Sequence, residues 1–208
     1  MLSRLPHPLL LSLAACNIAV FSATSLNAVP SRDRRIVLNN TLLSLRNVYS
    51  RPWVLLTHIF SHANAAHLAM NTLSLLLLAP VVLNAIRPLR FAGLYLSAGV
   101  VGGAAQLTSN KMQGFDQPSL GASGALAGVL LFHCVRVPLG EVVILIFPMQ
   151  NRVAGAGFVA MNIFGLTTVE QGGGESGIAY GAHLGGAAVG AALAPLFRGR
   201  APPLRFRS

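Results

Sequence analysis

His67-Leu-Ala-Met-Asn71-Thr-Leu-Ser-Leu-Leu-Leu-Leu-Ala-Pro-Val-Val-Leu-Asn-Ala-Ile86 runs for twenty residues without a formal charge. About 20 mostly apolar residues cross the hydrocarbon layer of a bilayer once, so the stretch reads as a membrane span. Its first turns carry His67 and Asn71, four residues apart and therefore on one helical face. Polar side chains inside a span are costly and point to function.

Working outward, the same apolar pattern recurs on both sides. Spans are expected over residues 9–29, 67–86, 91–108, 121–135, 153–169 and 177–197. A cleaved signal is the alternative reading of the first, although that run is long for a signal-peptide core. Residues 30–66 form a polar and basic first loop. Its apolar piece Trp53-Val-Leu-Leu-Thr-His-Ile-Phe60 is too short to span and suits the membrane interface, as do Trp53 and Tyr49. A second short apolar piece, residues 142–147, is read as a possible extension of a neighbouring helix. Gly172-Gly173-Gly174 marks a loop expected to be mobile. The organisation is a short basic N-terminus (residues 1–8), one six-helix core (residues 9–197) and a basic tail (residues 198–208), with no internal repeat.

Composition agrees. Of 208 residues, 53% are hydrophobic and 10% charged, where a soluble domain carries roughly a quarter charged. The net charge of +10 raises nucleic-acid binding as a reading. The arginines sit in clusters between apolar runs, however, as membrane topology and anionic lipid head groups require. No nucleic-acid partner is expected; membrane lipid is. Cys16 and Cys134 lie inside apolar runs without metal-ligand spacing, so neither a disulfide framework nor a metal site is expected, and no cofactor is implied.

Chain direction alternates from span to span, so the second, fourth and sixth helices enter the membrane from one side. His67 and Asn71 lie in the first turns of the second, Ser123 in the first turn of the fourth and His183 in the second turn of the sixth. All sit at one shallow depth. A serine hydroxyl is a poor nucleophile until a neighbour takes its proton, and His183 can do so if the fourth and sixth helices touch. Gly124-xxx-Gly128, Gly181-xxx-Gly185 and Gly186-xxx-Gly190 permit such close contact in lipid. His67, Asn71 and the helix-start N–H of Ser123 are candidate oxyanion donors. The acidic residues Asp33, Asp116, Glu141, Glu170 and Glu175 all fall outside the spans, so a dyad rather than a triad is expected. His58 and His133 read as structural or interfacial.

From Tyr49 to Leu196 this ordered set resembles the rhomboid family of intramembrane serine proteases. The carriers are Trp53-Val-Leu-Leu-Thr-His-Ile-Phe-Ser-His62, His67-xxx-Asn71, Gly121-Ala-Ser123-Gly124 and Ala182-His183-Leu-Gly-Gly186. The resemblance implies an all-α six-transmembrane-helix bundle with an interfacial first loop. It implies Ser123 as nucleophile, His183 as general base, and His67, Asn71 and the backbone N–H groups of Ala122 and Ser123 at the oxyanion. It implies transmembrane proteins as substrates.

Tyr95-Leu-Ser-Ala-Gly-Val100, Pro118-Ser-Leu-Gly-Ala-Ser-Gly-Ala125 and Ile146-Phe-Pro-Met149 resemble the mitochondrial presenilin-associated rhomboid-like branch, which implies the mitochondrial inner membrane. Another cellular membrane, or a bacterial inner membrane, is the alternative. Three departures stand out. Ala127 occupies the position where many bacterial members place an aromatic against the histidine. Arg51-Pro52-Trp53 stands in place of the family's Trp-Arg pair. The long presequence and extra helix usual in mitochondrial members are not seen, which raises the expectation of a fragment. The rival functions are a catalytically dead relative that escorts membrane clients and a small transporter or channel. Cleavage of a labelled substrate, with and without Ser123, separates them.

Six spans put both termini on one side, with Arg4, Arg87, Arg90, Arg136, Arg152, Arg198, Arg200, Arg205 and Arg207. The other side holds Arg32, Arg34, Arg35, Arg46, Arg51 and Lys111. The positive-inside rule then puts the termini on the cytoplasm-like or matrix side and opens the site to the opposite face.

Overall fold

Asn64 starts the helix that holds the decisive stretch. Its Oδ1 accepts the backbone N–H of His67 at 2.8 Å, capping one of the donors that every helix start leaves unpaired. That helix, α5, runs Ala65–Ile86. The computed structural model describes residues 6–25, 30–144, 147–172 and 177–197. Before α5 come α1 (Pro8–Ser25), α2 (Ser31–Thr41), α3 (Leu45–Ser50), α4 (Val54–Thr57) and a 3-10 turn, His58–Phe60. After it come α6 (Pro88–Gln113), α7 (Ser123–Arg136), β1 (Glu141–Ile144), β2 (Phe147–Gln150), α8 (Asn151–Gly172) and α9 (Tyr180–Leu193), closed by a 3-10 turn, Ala194–Phe197.

Helices therefore begin within a few residues of all the expected span starts. Three among the described residues are long and apolar enough to cross a membrane: Pro8–Ser25, Ala65–Ile86 and Pro88–Gln113. The first is shorter than expected, and residues 26–29 of that expected span lie outside the described residues. One expectation is corrected. Residues 142–144 and 147 do not extend a helix. They fall in an antiparallel hairpin, with Glu141 paired to Gln150 and Val143 to Pro148, so the bundle is mostly rather than wholly helical. Val142, Val143 and Ile144 are β-branched, and Pro148 cannot sit inside a helix without breaking it. The first loop holds three short helices and a 3-10 turn. Residues 173–176, within the glycine loop expected to be mobile, and the basic tail, residues 198–208, lie outside the described residues.

At the centre stands α7, in which Gly124–Cys134 are all buried. Large apolar side chains such as Leu73, Leu77, Met161 and Phe164 face outward, while small residues face the neighbouring helices. In lipid, expulsion of water does not drive helix association; close packing does, and small residues permit it. α9 packs against both α6 and α7. A methyl on Gly186 would overlap the carbonyl of Gly124, and one on Gly190 the carbonyl of Gly128. The expected glycine pairs thus meet, with a division of labour. Gly186 and Gly190 face α7, whereas Gly181 and Gly185 face Gln106, Ala105 and Gly102 of α6.

The first loop is bolted to the strand-like segment before α7. Leu43 and Ser119 exchange backbone hydrogen bonds at 3.0 and 2.8 Å. Asp116 accepts the N–H groups of Leu45 and Arg46 at 2.6 and 3.0 Å. The carbonyl of His58 accepts the N–H of Gly121 at 2.9 Å. The chain leading into Ser123 is thereby held from outside the bundle.

Candidate active site

Ser123 is the first residue of α7, and the first intrahelical bond of that helix runs from Leu126 N–H to Ala122 C=O, 2.9 Å. The N–H groups of the opening turn are thus free to face a ligand, at the positive end of the helix dipole. Gly121 makes the approach possible. It has φ +121°, a conformation that side chains rarely adopt, and a Cβ there would sit 2.7 Å from Cε1 of His67. The same Cβ would be 3.8 Å from Nδ2 of Asn71. His67 and Asn71 therefore gather on the backbone two residues before Ser123. Asn71 is buried and donates one amide hydrogen to the carbonyl of His67 at 3.0 Å, which leaves its second hydrogen free for another acceptor.

His183 reaches Ser123 from α9. Its Nε2 lies 2.8 Å from Ser123 Oγ, inside hydrogen-bond range. A chain of amides seats the first turn of α9. Ala182 N–H donates to Gln106 Oε1 at 3.2 Å, Gln106 Nε2 donates to Asn110 Oδ1 at 2.9 Å, and Asn110 Nδ2 donates to the carbonyl of Gln117 at 2.7 Å. The structure thus brings together Ser123 with His183, and His67 and Asn71 with the Gly121–Ser123 backbone. Ala122 is fully buried at the cap between them.

Two neighbours went unread in the sequence. The ring of Phe158 on α8 lies 6.0 Å from that of His183, tilted by 40°, so an aromatic companion comes from a different helix than the Ala127 position suggests. Asn162, also on α8, has its Oδ1 2.7 Å from His183 Nδ1, so His183 has a second side-chain partner that a bare dyad leaves out. The signal was present: Asn162 is an amide inside an apolar run, at helical spacing from Gly155, Phe158 and Gly165 on the face of α8 turned inward.

Three further histidines lie apart from the Ser123–His183 contact. His58 is buried with Nδ1 3.0 Å from the carbonyl of Val54. His133 packs against Asn151, 3.2 Å between Nε2 and Nδ2. His62 meets the ring of His67 edge-on at 5.1 Å. Burial pushes His58 and His62 each down to about 4, with the nearby His67 adding to the effect at His62.

A family model described as "Rhomboid domain" matches residues 49–200. The chain belongs to the rhomboid family. Among its rhomboid relatives is the human "Presenilin-associated rhomboid-like protein, mitochondrial", 33% identical over 179 residues, covering 85% of this chain and 45% of that protein. "RHOMBOID-like protein 12, mitochondrial" of Arabidopsis thaliana is 31% identical over 186 residues, covering 81% of this chain and 54% of the relative. "Rhomboid protein 1, mitochondrial" of Saccharomyces cerevisiae is 30% identical over 189 residues, covering 89% and 52%. The chain spans about half the length of the curated rhomboids it matches. These relatives, with its apolar helices, place it among mitochondrial integral membrane rhomboids.

Proposed function

We propose that this chain is an intramembrane serine endopeptidase that cuts transmembrane protein substrates with Ser123 as nucleophile and His183 as base. The observation that carries the reading is the 2.8 Å approach of His183 Nε2 to Ser123 Oγ, across two helices of a rhomboid domain. Ser123 Oγ attacks the scissile carbonyl carbon while its proton passes to Nε2. The oxyanion that forms is met by the N–H groups of Ala122 and Ser123, with the free amide hydrogen of Asn71 and the ring of His67 in support. Collapse breaks the C–N bond, and the leaving amine takes the proton from His183. A water molecule then gives its proton to His183 and attacks the acyl ester. Release of the carboxylic acid returns the proton to Ser123 Oγ.

The helices α1, α5, α6, α7, α8 and α9 are taken as the six spans. α7 has 14 residues, about 21 Å at 1.5 Å per residue, against a hydrocarbon thickness of about 30 Å. Enclosed by its neighbours, it does not have to match the bilayer, and Ser123 at its start lies below the membrane surface. The charge bias then places the termini on the matrix side of the inner membrane and opens the site toward the intermembrane space. The test uses the purified full chain in lipid vesicles with a labelled transmembrane segment. Wild type is expected to cleave, and Ser123→Ala and His183→Ala are not. Because nucleophile and base act as a unit, the double variant should be hardly worse than either single one. Turnover by Ser123→Ala near the wild-type rate would overturn the reading.

A further inference from the structure

Asn162 sits in the interior of α8 and is 1% exposed. A buried amide is costly unless both of its ends are bonded, and both are. Nδ2 donates to the carbonyl of Phe158, one turn back, at 2.8 Å. Oδ1 lies 2.7 Å from Nδ1 of His183. The two contacts determine each other. A backbone carbonyl only accepts, so the end of the amide that faces Phe158 is the NH2 group. The end that faces His183 is then the oxygen, which also only accepts. Nδ1 must therefore carry the hydrogen. In a neutral imidazole the lone pair then falls on Nε2, the nitrogen 2.8 Å from Ser123 Oγ.

We propose that Asn162 is a positioning residue that fixes His183 in the Nδ1–H tautomer and aims its Nε2 lone pair at Ser123. The inference rests on the reading of Ser123 and His183 as nucleophile and base. Asn162 touches neither substrate nor the reacting atoms and acts only through the imidazole. Without an acceptor at Nδ1 the ring can hold its hydrogen on either nitrogen, and the form with hydrogen on Nε2 cannot take the serine proton. The ring can also turn about its Cβ–Cγ bond, which the bond to Oδ1 prevents. When Nε2 is protonated during the reaction, the amide dipole directs its negative end at the imidazolium, without the permanent charge that a carboxylate would place inside the bundle. The placement of α8 against α9 supports this. Gly165, one turn beyond Asn162 on the same face, has no side chain where the ring of Tyr180 at the start of α9 lies against it.

The test reads Ser123 directly with a fluorophosphonate probe on the purified full chain. The Oγ–P bond forms, the P–F bond breaks, fluoride leaves and the hydroxyl proton goes to His183 Nε2. Asn162→Leu removes the acceptor at similar volume, and Asn162→Asp keeps an oxygen in its place. The saturating labelling rate of Asn162→Leu is expected to fall about 10²-fold, with the half-saturating probe concentration little changed. Asn162→Asp is expected to stay within about 10-fold of wild type. Wild-type labelling by Asn162→Leu would overturn the proposal, and so would an Asn162→Asp as slow as Asn162→Leu but as heat-stable as wild type.

Nitrogen NMR of the histidine-labelled chain gives a second reading that needs no reactivity. The His183 signal is assigned by its loss in His183→Asn. Hydrogen on Nδ1 in the wild type is expected, and a bare Nδ1 there would overturn the proposal even if Asn162→Leu failed to fold. Equal labelling of wild type and Ser123→Ala would instead sink the role of Ser123 and leave the tautomer measurement to decide on Asn162 separately.

Discussion

Gly186→Ala should disable the site without touching any residue that reacts. Gly186 lies one turn after His183 on α9 and faces Gly124, the residue after Ser123 on α7. The added methyl would lie 2.8 Å from the carbonyl carbon of Gly124 and 3.3 Å from the carbonyl oxygen of Ala98, and would overlap the oxygen of Gly124. Carbon atoms rest at roughly 3.5 Å or more from one another, so the carbon contact alone requires about 0.7 Å of retreat. The neighbours are backbone on both sides and cannot swing away, so α9 must shift as a body. Added to the 2.8 Å between His183 Nε2 and Ser123 Oγ, that displacement gives a gap of about 3.5 Å, at which little of the hydrogen bond survives. A misplacement near 1 Å can cost about 10²-fold in rate, and overpacking a tight interface costs about 1–3 kcal/mol in stability. The assay compares kcat for a transmembrane substrate in vesicles with the thermal midpoint of the same preparations. Gly93→Ala serves as control, because a methyl there meets nothing within 4 Å. Gly186→Ala with wild-type kcat would show that the α7–α9 contact does not set the Ser123–His183 distance.

Asn71→Ala should lower kcat by about 10-fold to 10³-fold and leave KM nearly unchanged, because an oxyanion donor acts in the transition state; an unchanged kcat with raised KM would assign Asn71 to substrate binding. Stability should be greatest above pH 6.5 and fall between pH 6.5 and about 4, since His58 and His62 are held down to about 4 in the fold while the unfolded chain takes up those protons first. A thermal midpoint flat across that window would contradict the burial of these two rings. In a Cys16→Ser background, an impermeant thiol reagent should reach Met112→Cys, 82% exposed, from one side of the vesicle and Leu89→Cys, 85% exposed, from the other. Leu139→Cys should share the side of Leu89→Cys, and its labelling from the side of Met112→Cys would break the six-span topology.

Much of the bundle was legible because lipid imposes simple rules. Uncharged runs of the right length had to be helices, and alternation of direction brought the starts of α5, α7 and α9 to one level. That reasoning singled out Ser123 and His183, which the fold brings to 2.8 Å from each other, and the glycine spacing named the surfaces through which their helices meet. It failed where the relevant contact runs sideways. Asn162 sits mid-helix on α8 rather than in the first turns of a helix, so the search for polar residues at helix starts passed over it, although its side chain meets His183. Phe158 was missed because an aromatic inside an apolar run carries no polar signal. The hairpin Glu141–Gln150 was hidden because a short apolar run of β-branched residues satisfies helix and strand alike until Pro148 breaks the tie. The bolts at Leu43 with Ser119 and at His58 with Gly121 are backbone bonds, which carry no side-chain pattern to read, and the carboxylate of Asp116 adds to them by accepting the N–H groups of Leu45 and Arg46.

The most direct measurement of the central claim is the site of covalent capture. Wild-type chain in lipid is treated with a fluorophosphonate, digested, and the modified peptide sequenced by mass spectrometry, with His183→Ala treated in parallel. The expected adduct is on Ser123 in the wild type and is absent from a folded His183→Ala chain. An adduct on another serine, or equal capture of Ser123 without His183, would contradict the assignment of nucleophile and base.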